Sequence, residues 1–64
     1  MKNIGETLKQ LRLAAGLTQI ELAQRADTVS PMICQIERGT RTLSLPLAVR
    51  LAEALECDIH DFIR

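Results

Sequence analysis

Residues 16–39 read GLTQIELAQRADTVSPMICQIERG, and this stretch decides the fold. Thr18 is followed three residues later by Glu21, the spacing at which a hydroxyl caps an incoming helix and a carboxylate caps it in return. Apolar Leu17 precedes the pair and is placed to staple the entry. Gln19–Ala26 then carries Ile20, Leu22, Ala23 and Ala26 as the apolar side of a short amphipathic helix. Asp27-Thr28-Val29 is a brief turn. Ser30-Pro31 follows as N-cap and first helical residue, because proline there gives up only an N–H that has no helical partner. Met32, Ile33 and Ile36 form the apolar side of the next helix, which Gly39 ends.

Two short helices joined by so few residues make a helix-turn-helix by geometry alone. The flanks extend the same pattern. Asn3 with Glu6 reads as a helix start, and Ile4, Leu8, Leu11 and Ala15 form one stripe of a helix over Ile4–Ala15. Gly16 stands where a left-handed residue would close it. After a loop over Thr40–Leu43, Ser44 caps a fourth helix with Pro46 in its first turn. Leu47, Leu51 and Leu55, with Ala48 and Ala54, form its inner stripe. Asp58 with Asp61 marks a last turn or short helix over Ile59–Ile63. The expectation is an all-α, compact five-helix domain spanning residues 1–64, with the helix-turn-helix at about residues 19–38.

Composition narrows the function classes. At 47% hydrophobic and 25% charged residues, the 64-residue chain has the make-up of a globular domain rather than a disordered one. Leu, Ile and Ala dominate the apolar mass and favour helices over sheets. Phe62 is the sole aromatic residue, which removes the base-stacking platforms used on single-stranded nucleic acid. Cys34 and Cys57, separated by 22 residues, could formally form one disulfide, but free thiols are the expected reading, and a metal site would want more closely spaced ligands. His60 reads as a surface polar residue. No nucleophile–base constellation or phosphate loop is present, so the reading is not an enzyme, and no cofactor or metal is expected. No apolar run reaches the roughly 18 residues of a spanning helix, and no signal peptide opens the chain, so a cytoplasmic location is expected.

The formal net charge is zero, which by itself argues against nucleic-acid binding. The distribution tells more. Residues 1–41 hold six Lys+Arg against four Asp+Glu, and residues 42–64 hold two against four. A mildly basic half contains the two paired helices, and an acidic half follows it. Few phosphate contacts are available to one copy, and pairing two copies would double them.

Gly16-Leu17-Thr18-Gln19, Glu21-Leu22-Ala23, Ile33 and Ile36-Glu37-Arg38-Gly39, in that order and spacing, resemble the Cro and phage-repressor type of helix-turn-helix, the Xre family. The likeness runs from about Ile4 to Ile63. The resemblance implies a DNA-binding transcriptional regulator whose third helix enters the major groove and whose dimers read two half-sites. It assigns Gln19 to a phosphate at the start of the second helix, and Ser30, Pro31, Cys34 and Gln35 to the groove-facing side of the third. Arg38, Thr40 and Arg41 match the end of that helix and the next loop, where backbone phosphates are touched. Arg12 and Glu37 match a pair that joins the first helix to the third as an ion pair.

Chemistry ranks these positions. Gln35 is the best base reader, since its amide can bond adenine N6 and N7 together, whereas the bland reading is a solvated glutamine. Ser30 and Pro31 are poorer readers: a capping hydroxyl is occupied and proline donates nothing, although it can touch a thymine methyl. Cys34 is read as a stand-in for serine ahead of a redox sensor. Leu45, Val49, Ile59, Phe62 and Ile63 exceed what a small core needs and suggest a homodimer through the C-terminal helices. The competing reading is a protein-interaction module or antitoxin-like subunit on the same fold.

Three positions depart from the family pattern. Asp27 stands where the turn has glycine, and Glu56 replaces a helix-ending glycine. Val29 occupies the usual cap position, with Ser30-Pro31 one place later, so the third helix is expected to start a residue late.

Overall fold

The computed structural model describes residues 3–63; Met1, Lys2, Arg64 and the side chains of Phe62 and Ile63 lie outside the described residues. Helix α1 spans Ile4–Ala14, α2 Gln19–Arg25, α3 Ser30–Arg38 and α4 Leu45–Ala54. A single closing turn, α5, covers His60–Ile63. The expected fifth helix over Ile59–Ile63 thus shrinks to one turn, and the fold is four helices with a helical turn, without strands among the described residues. Asp61 Oδ2 accepts the N–H of Asp58 at 3.2 Å, and Asp58 Oδ1 accepts the N–H of His60 at 3.0 Å, so the two carboxylates cap the start of this turn.

Three of the four helix starts follow their sequence signals. Asn3 Oδ1 accepts the N–H of Glu6 at 2.7 Å, and Ser44 Oγ accepts that of Leu47 at 3.4 Å. At α2 the full reciprocal box forms: Thr18 Oγ1 accepts from Glu21 N–H at 3.1 Å, and Glu21 Oε1 accepts from Thr18 N–H at 2.9 Å. That bonding holds the Glu21 carboxyl below its ordinary range. Helix α3 departs from expectation. Val29, extended at φ −119°, is its N-cap without a side-chain bond, and Ser30 is the first helical residue rather than the cap. The helix therefore does not start late. An uncapped start is tolerable because Pro31 has no N–H to leave unpaired and Met32 N–H reaches Val29 O at 3.1 Å.

All four helices stop the same way, on a left-handed residue: Gly16 at φ 73°, Asp27 at 57°, Gly39 at 83° and Glu56 at 54°. The next N–H then reaches back five residues, from Leu17 to Arg12 O, Thr28 to Ala23 O, Thr40 to Gln35 O and Cys57 to Ala52 O, at 2.9–3.1 Å. Asp27 and Glu56 hold this shape at a backbone cost of about 1–2 kcal/mol each that glycine would avoid.

The core is built where these ends direct the helices. Leu8, Leu22, Ile33, Ile36 and Leu51 are fully buried, one or two from each helix, with Leu17, Ala23, Ala26, Leu47 and Ala52 around them. Two residues of the expected α1 stripe, Ile4 and Ala15, are exposed at its ends. Ile20 is also outside, 60% exposed, because it stands two residues and so about 200° from Leu22 on the helix. Helix α3 packs on both α1 and α2. Helices α1 and α3 approach closely at buried Gly5, where a Cβ would collide with Ile36 O and come within 2.7 Å of Glu37 O.

Candidate nucleic-acid interface

Helix α3 has two unlike sides. Its inner side presents Ile33 and Ile36 to the core and Glu37 to a polar clasp. Arg12 Nε donates to Glu37 Oε2 at 2.7 Å, and Nη2 donates to Oε1 at 3.1 Å, a two-pronged pair with side chains only 9% and 5% exposed. Arg12 Nη1 donates to Leu17 O at 2.9 Å, and Gln19 Nε2 donates to Glu37 Oε1 at 3.0 Å. The Glu37 bonds hold the guanidinium pKa above its ordinary value, against the opposing effect of burial. Glu37 thereby joins α1, α2 and α3, and Arg12 adds the α1–α2 turn, in one fixed arrangement. The ion pair expected between Arg12 and Glu37 is present.

The outer side carries the candidate readers. Pro31, Gln35 and Arg38 are exposed, and Ser30 and Cys34 are half-buried along the same helix. Freed from capping, the Ser30 hydroxyl is open to other partners. Thr40 folds the following loop onto the last turn: its N–H and its hydroxyl both donate to Gln35 O, at 3.0 and 3.2 Å. Arg41 then donates from Nε to Gln35 Oε1 at 3.2 Å. Gln35, Thr40 and Arg41 thus form one group, to which Arg38 is joined by sequence at the helix end.

Gln19 sits apart from that group, half-buried, with its amide on Glu37. An amide nitrogen carries two hydrogens, so one remains for a phosphate while the other serves the clasp. The Thr40 hydroxyl has one hydrogen, and it is spent on Gln35 O.

His60 and Cys57 lie on the C-terminal segment, away from α3 in the sequence, and Cys34 lies on α3 itself. His60 Nδ1 lies 2.8 Å from Asp58 Oδ1 in an exposed pair. Cys34 and Cys57 are free thiols, and burial, aided by Asp61 and Asp58, raises the Cys57 pKa. No group of three or more His, Cys, Asp or Glu among the described residues could hold a metal ion. No helix among them is long and apolar enough to cross a membrane.

Three contributions are not legible in the sequence. Gly5 sets the approach of α1 to α3 and carries no signal beyond being a glycine inside a helix. Arg50, from α4, donates through Nε to Ala26 O at 3.0 Å and so ties the end of α2 in place. The Arg41–Gln35 bond depends on how the loop folds back, which spacing alone does not fix.

Comparison with known proteins agrees with this architecture. The helix-turn-helix family model matches residues 8–62. The restriction-modification controller protein C.AhdI from Aeromonas hydrophila is 34% identical, with a TM-score of 0.90 over 92% of this chain and 86% of that one. The clp gene regulator ClgR from Corynebacterium glutamicum is 27% identical, with a TM-score of 0.87 over 94% of this chain and 78% of that one. The P22 c2 repressor, solved in complex with a synthetic operator, shares the fold at 22% identity, with a TM-score of 0.86 over 92% and 89% of the two chains. Among curated proteins none matches significantly. With most of its length matched, the chain belongs to the helix-turn-helix family of the Cro and phage-repressor (Xre) type.

Proposed function

We propose that the chain is a sequence-specific double-stranded DNA-binding transcriptional regulator that places α3 in the major groove. The observation that carries this reading is the division of α3. Its inner side is fixed by the core and the Arg12–Glu37 clasp, while Pro31, Gln35 and Arg38 stand on the outside. A rigid helix with an exposed polar face beside cations is what groove reading needs. Ser30, Pro31, Cys34 and Gln35 face the bases in this reading. Gln19, Arg38, Thr40 and Arg41 take the flanking backbone, Gln19 through its second amide hydrogen and Thr40 only by yielding its bond to Gln35.

The working unit is a homodimer on a two-fold-symmetric operator, acting as a repressor or controller in the cytoplasm. Support comes from charge and from apolar exposure. The N-terminal 41 residues carry a balance of only +2, so one copy gains little from phosphates. On α4, Leu45 is 68% and Val49 42% exposed, four residues apart and so on one side of the helix. Ile59 packs against the core instead, and the side chains of Phe62 and Ile63 lie outside the described residues.

Selection of bound sequences from a random duplex pool, at two salt concentrations, tests the reading. A two-fold-symmetric motif that survives the higher salt is expected. Weak binding without an enriched motif would contradict it. That result would favour a partner-binding module, for which Ile20 and Val29, each 60% exposed at the starts of α2 and α3, would supply an apolar contact.

A further inference from the structure

We infer that Val29 is a specificity-determining residue that reads the C5-methyl group of a pyrimidine in the major groove; the inference rests on the groove-reading role of α3. Val29 is 60% exposed, outside the apolar core that Ile33 fills and Met32 packs against. It is also the N-cap of α3, extended at φ −119° and ψ 151°, with no side-chain bond. Valine is among the least favourable residues at that place, where serine, threonine, asparagine or aspartate accepts a backbone N–H. The starts of α1, α2 and α4 all use such a side chain, from Asn3, Thr18 and Ser44. Neither packing nor capping therefore accounts for a valine at the start of the groove-reading helix. A local rule broken with no gain to the fold marks a functional position.

The chemistry of this end names what it can read. Residues at the N-terminal end of a groove-reading helix contact base edges. Here the exposed side chains are Val29 and Pro31, and neither can donate or accept a hydrogen bond; Ser30 between them is half-buried. Major-groove edges present hydrogen-bonding groups and one apolar group, the C5-methyl of thymine. Against a hydrogen-bonding edge, valine strips away water and returns nothing. Against a methyl, two apolar surfaces leave water together. The same methyl stands at C5 of 5-methylcytosine, so Val29 also separates methylated from unmethylated cytosine at its base pair. Gln35, farther along α3, supplies the hydrogen-bonding part of the readout.

The test starts from the motif recovered by selection from a random duplex pool. In competition titrations, each thymine of a half-site is replaced in turn by deoxyuridine, which lacks only the methyl. At the position that responds, duplexes with cytosine and with 5-methylcytosine are then compared. Wild type is expected to lose about fourfold in affinity for deoxyuridine at one position in each half-site, the worth of one buried methyl. At that position 5-methylcytosine should bind about fourfold tighter than cytosine. Val29→Ser should not distinguish thymine from deoxyuridine, nor 5-methylcytosine from cytosine, whereas Pro31→Ala keeps both differences.

Stability supplies an independent readout. A serine at position 29 can accept the N–H of Met32, the first one available because Pro31 has none, so Val29→Ser is expected to unfold at a higher urea concentration than wild type. Equal wild-type binding of thymine and deoxyuridine overturns the inference and leaves groove reading by α3 intact. So does a methyl response that persists in Val29→Ser or disappears in Pro31→Ala, or a lower urea midpoint for Val29→Ser. If selection returns no motif, groove reading itself fails, and the inference falls with it.

Discussion

Two side chains on α3, Glu37 and Gln35, are each held by an arginine, and the two pairs differ in almost every physical respect. Glu37 receives Arg12 through two bonds, with both side chains below 10% exposure. Gln35 receives Arg41 through one bond of 3.2 Å between exposed groups. The first pair has lost its water and cannot be broken without stranding a charge. The second exchanges readily with solvent and adds little to stability. The same residue chemistry thus fixes the helix on one side and leaves it adaptable on the other. In the proposed reading, orientation and recognition are separated by half a turn of helix.

The comparison breaks most visibly at the buried pair. Arg12→Ala or Glu37→Ala is expected to lose about 3–5 kcal/mol in urea unfolding, which approaches the whole stability of a domain this small. Replacing both partners by apolar residues of similar volume, as in Arg12→Met with Glu37→Leu, should restore most of the loss. Equal damage in the single and double variants would show that the clasp does more than neutralise itself. Gly5→Ala comes next. Alanine is the better helix former, yet its Cβ must displace the carbonyls of Ile36 and Glu37, and a loss of about 1–3 kcal/mol is expected in the same measurement.

On the exposed side the ordering reverses. Arg38→Ala is expected to leave the unfolding free energy within about 0.5 kcal/mol of wild type. It should weaken binding to all duplexes alike and reduce the salt slope by about 0.9 for each phosphate no longer neutralised, read by titration over a range of salt. Outside both pairs, Glu56→Gly and Asp27→Gly relieve left-handed backbones and are expected to stabilise by about 0.5–1 kcal/mol each, with no change in DNA preference. The smallest effect is in acid. The Glu21 carboxyl lies below its ordinary value of 4.5, so its support of the α2 cap is complete above that pH and is lost as pH falls through the lower, folded-state value. The protection of Thr18 N–H against hydrogen exchange, relative to its intrinsic rate at each pH, should fall there before the core unfolds.

Much of the fold can be read from short-range signals because those signals act within one helical turn. Thr18 with Glu21, and Asn3 with Glu6, cap where their spacing says they should. The left-handed closures at Gly16 and Gly39 likewise follow from a glycine where each apolar stripe ends, whereas those at Asp27 and Glu56 are implied only by the family resemblance. The start of α3 does not follow, since serine before proline satisfies two capping rules at once and only the extended backbone at Val29 decides between them. Hydrophobicity alone places Ile20 inside, although its angle from Leu22 sets it outside. At the candidate interface, the sequence names candidate residues but not their partners. Gln19 turns toward Glu37, and Arg41 toward Gln35, through the packing of elements distant in the chain or folded back on it.

The most direct measurement is binding-site selection on Gln35→Ala beside the wild type, both confirmed folded by matching urea midpoints. The separation of orientation from recognition predicts that the variant keeps the symmetry and half-site spacing of the wild-type motif and loses preference at one position in each half-site. An unchanged motif, or a fall in the unfolding midpoint comparable to that of Glu37→Ala, would contradict it.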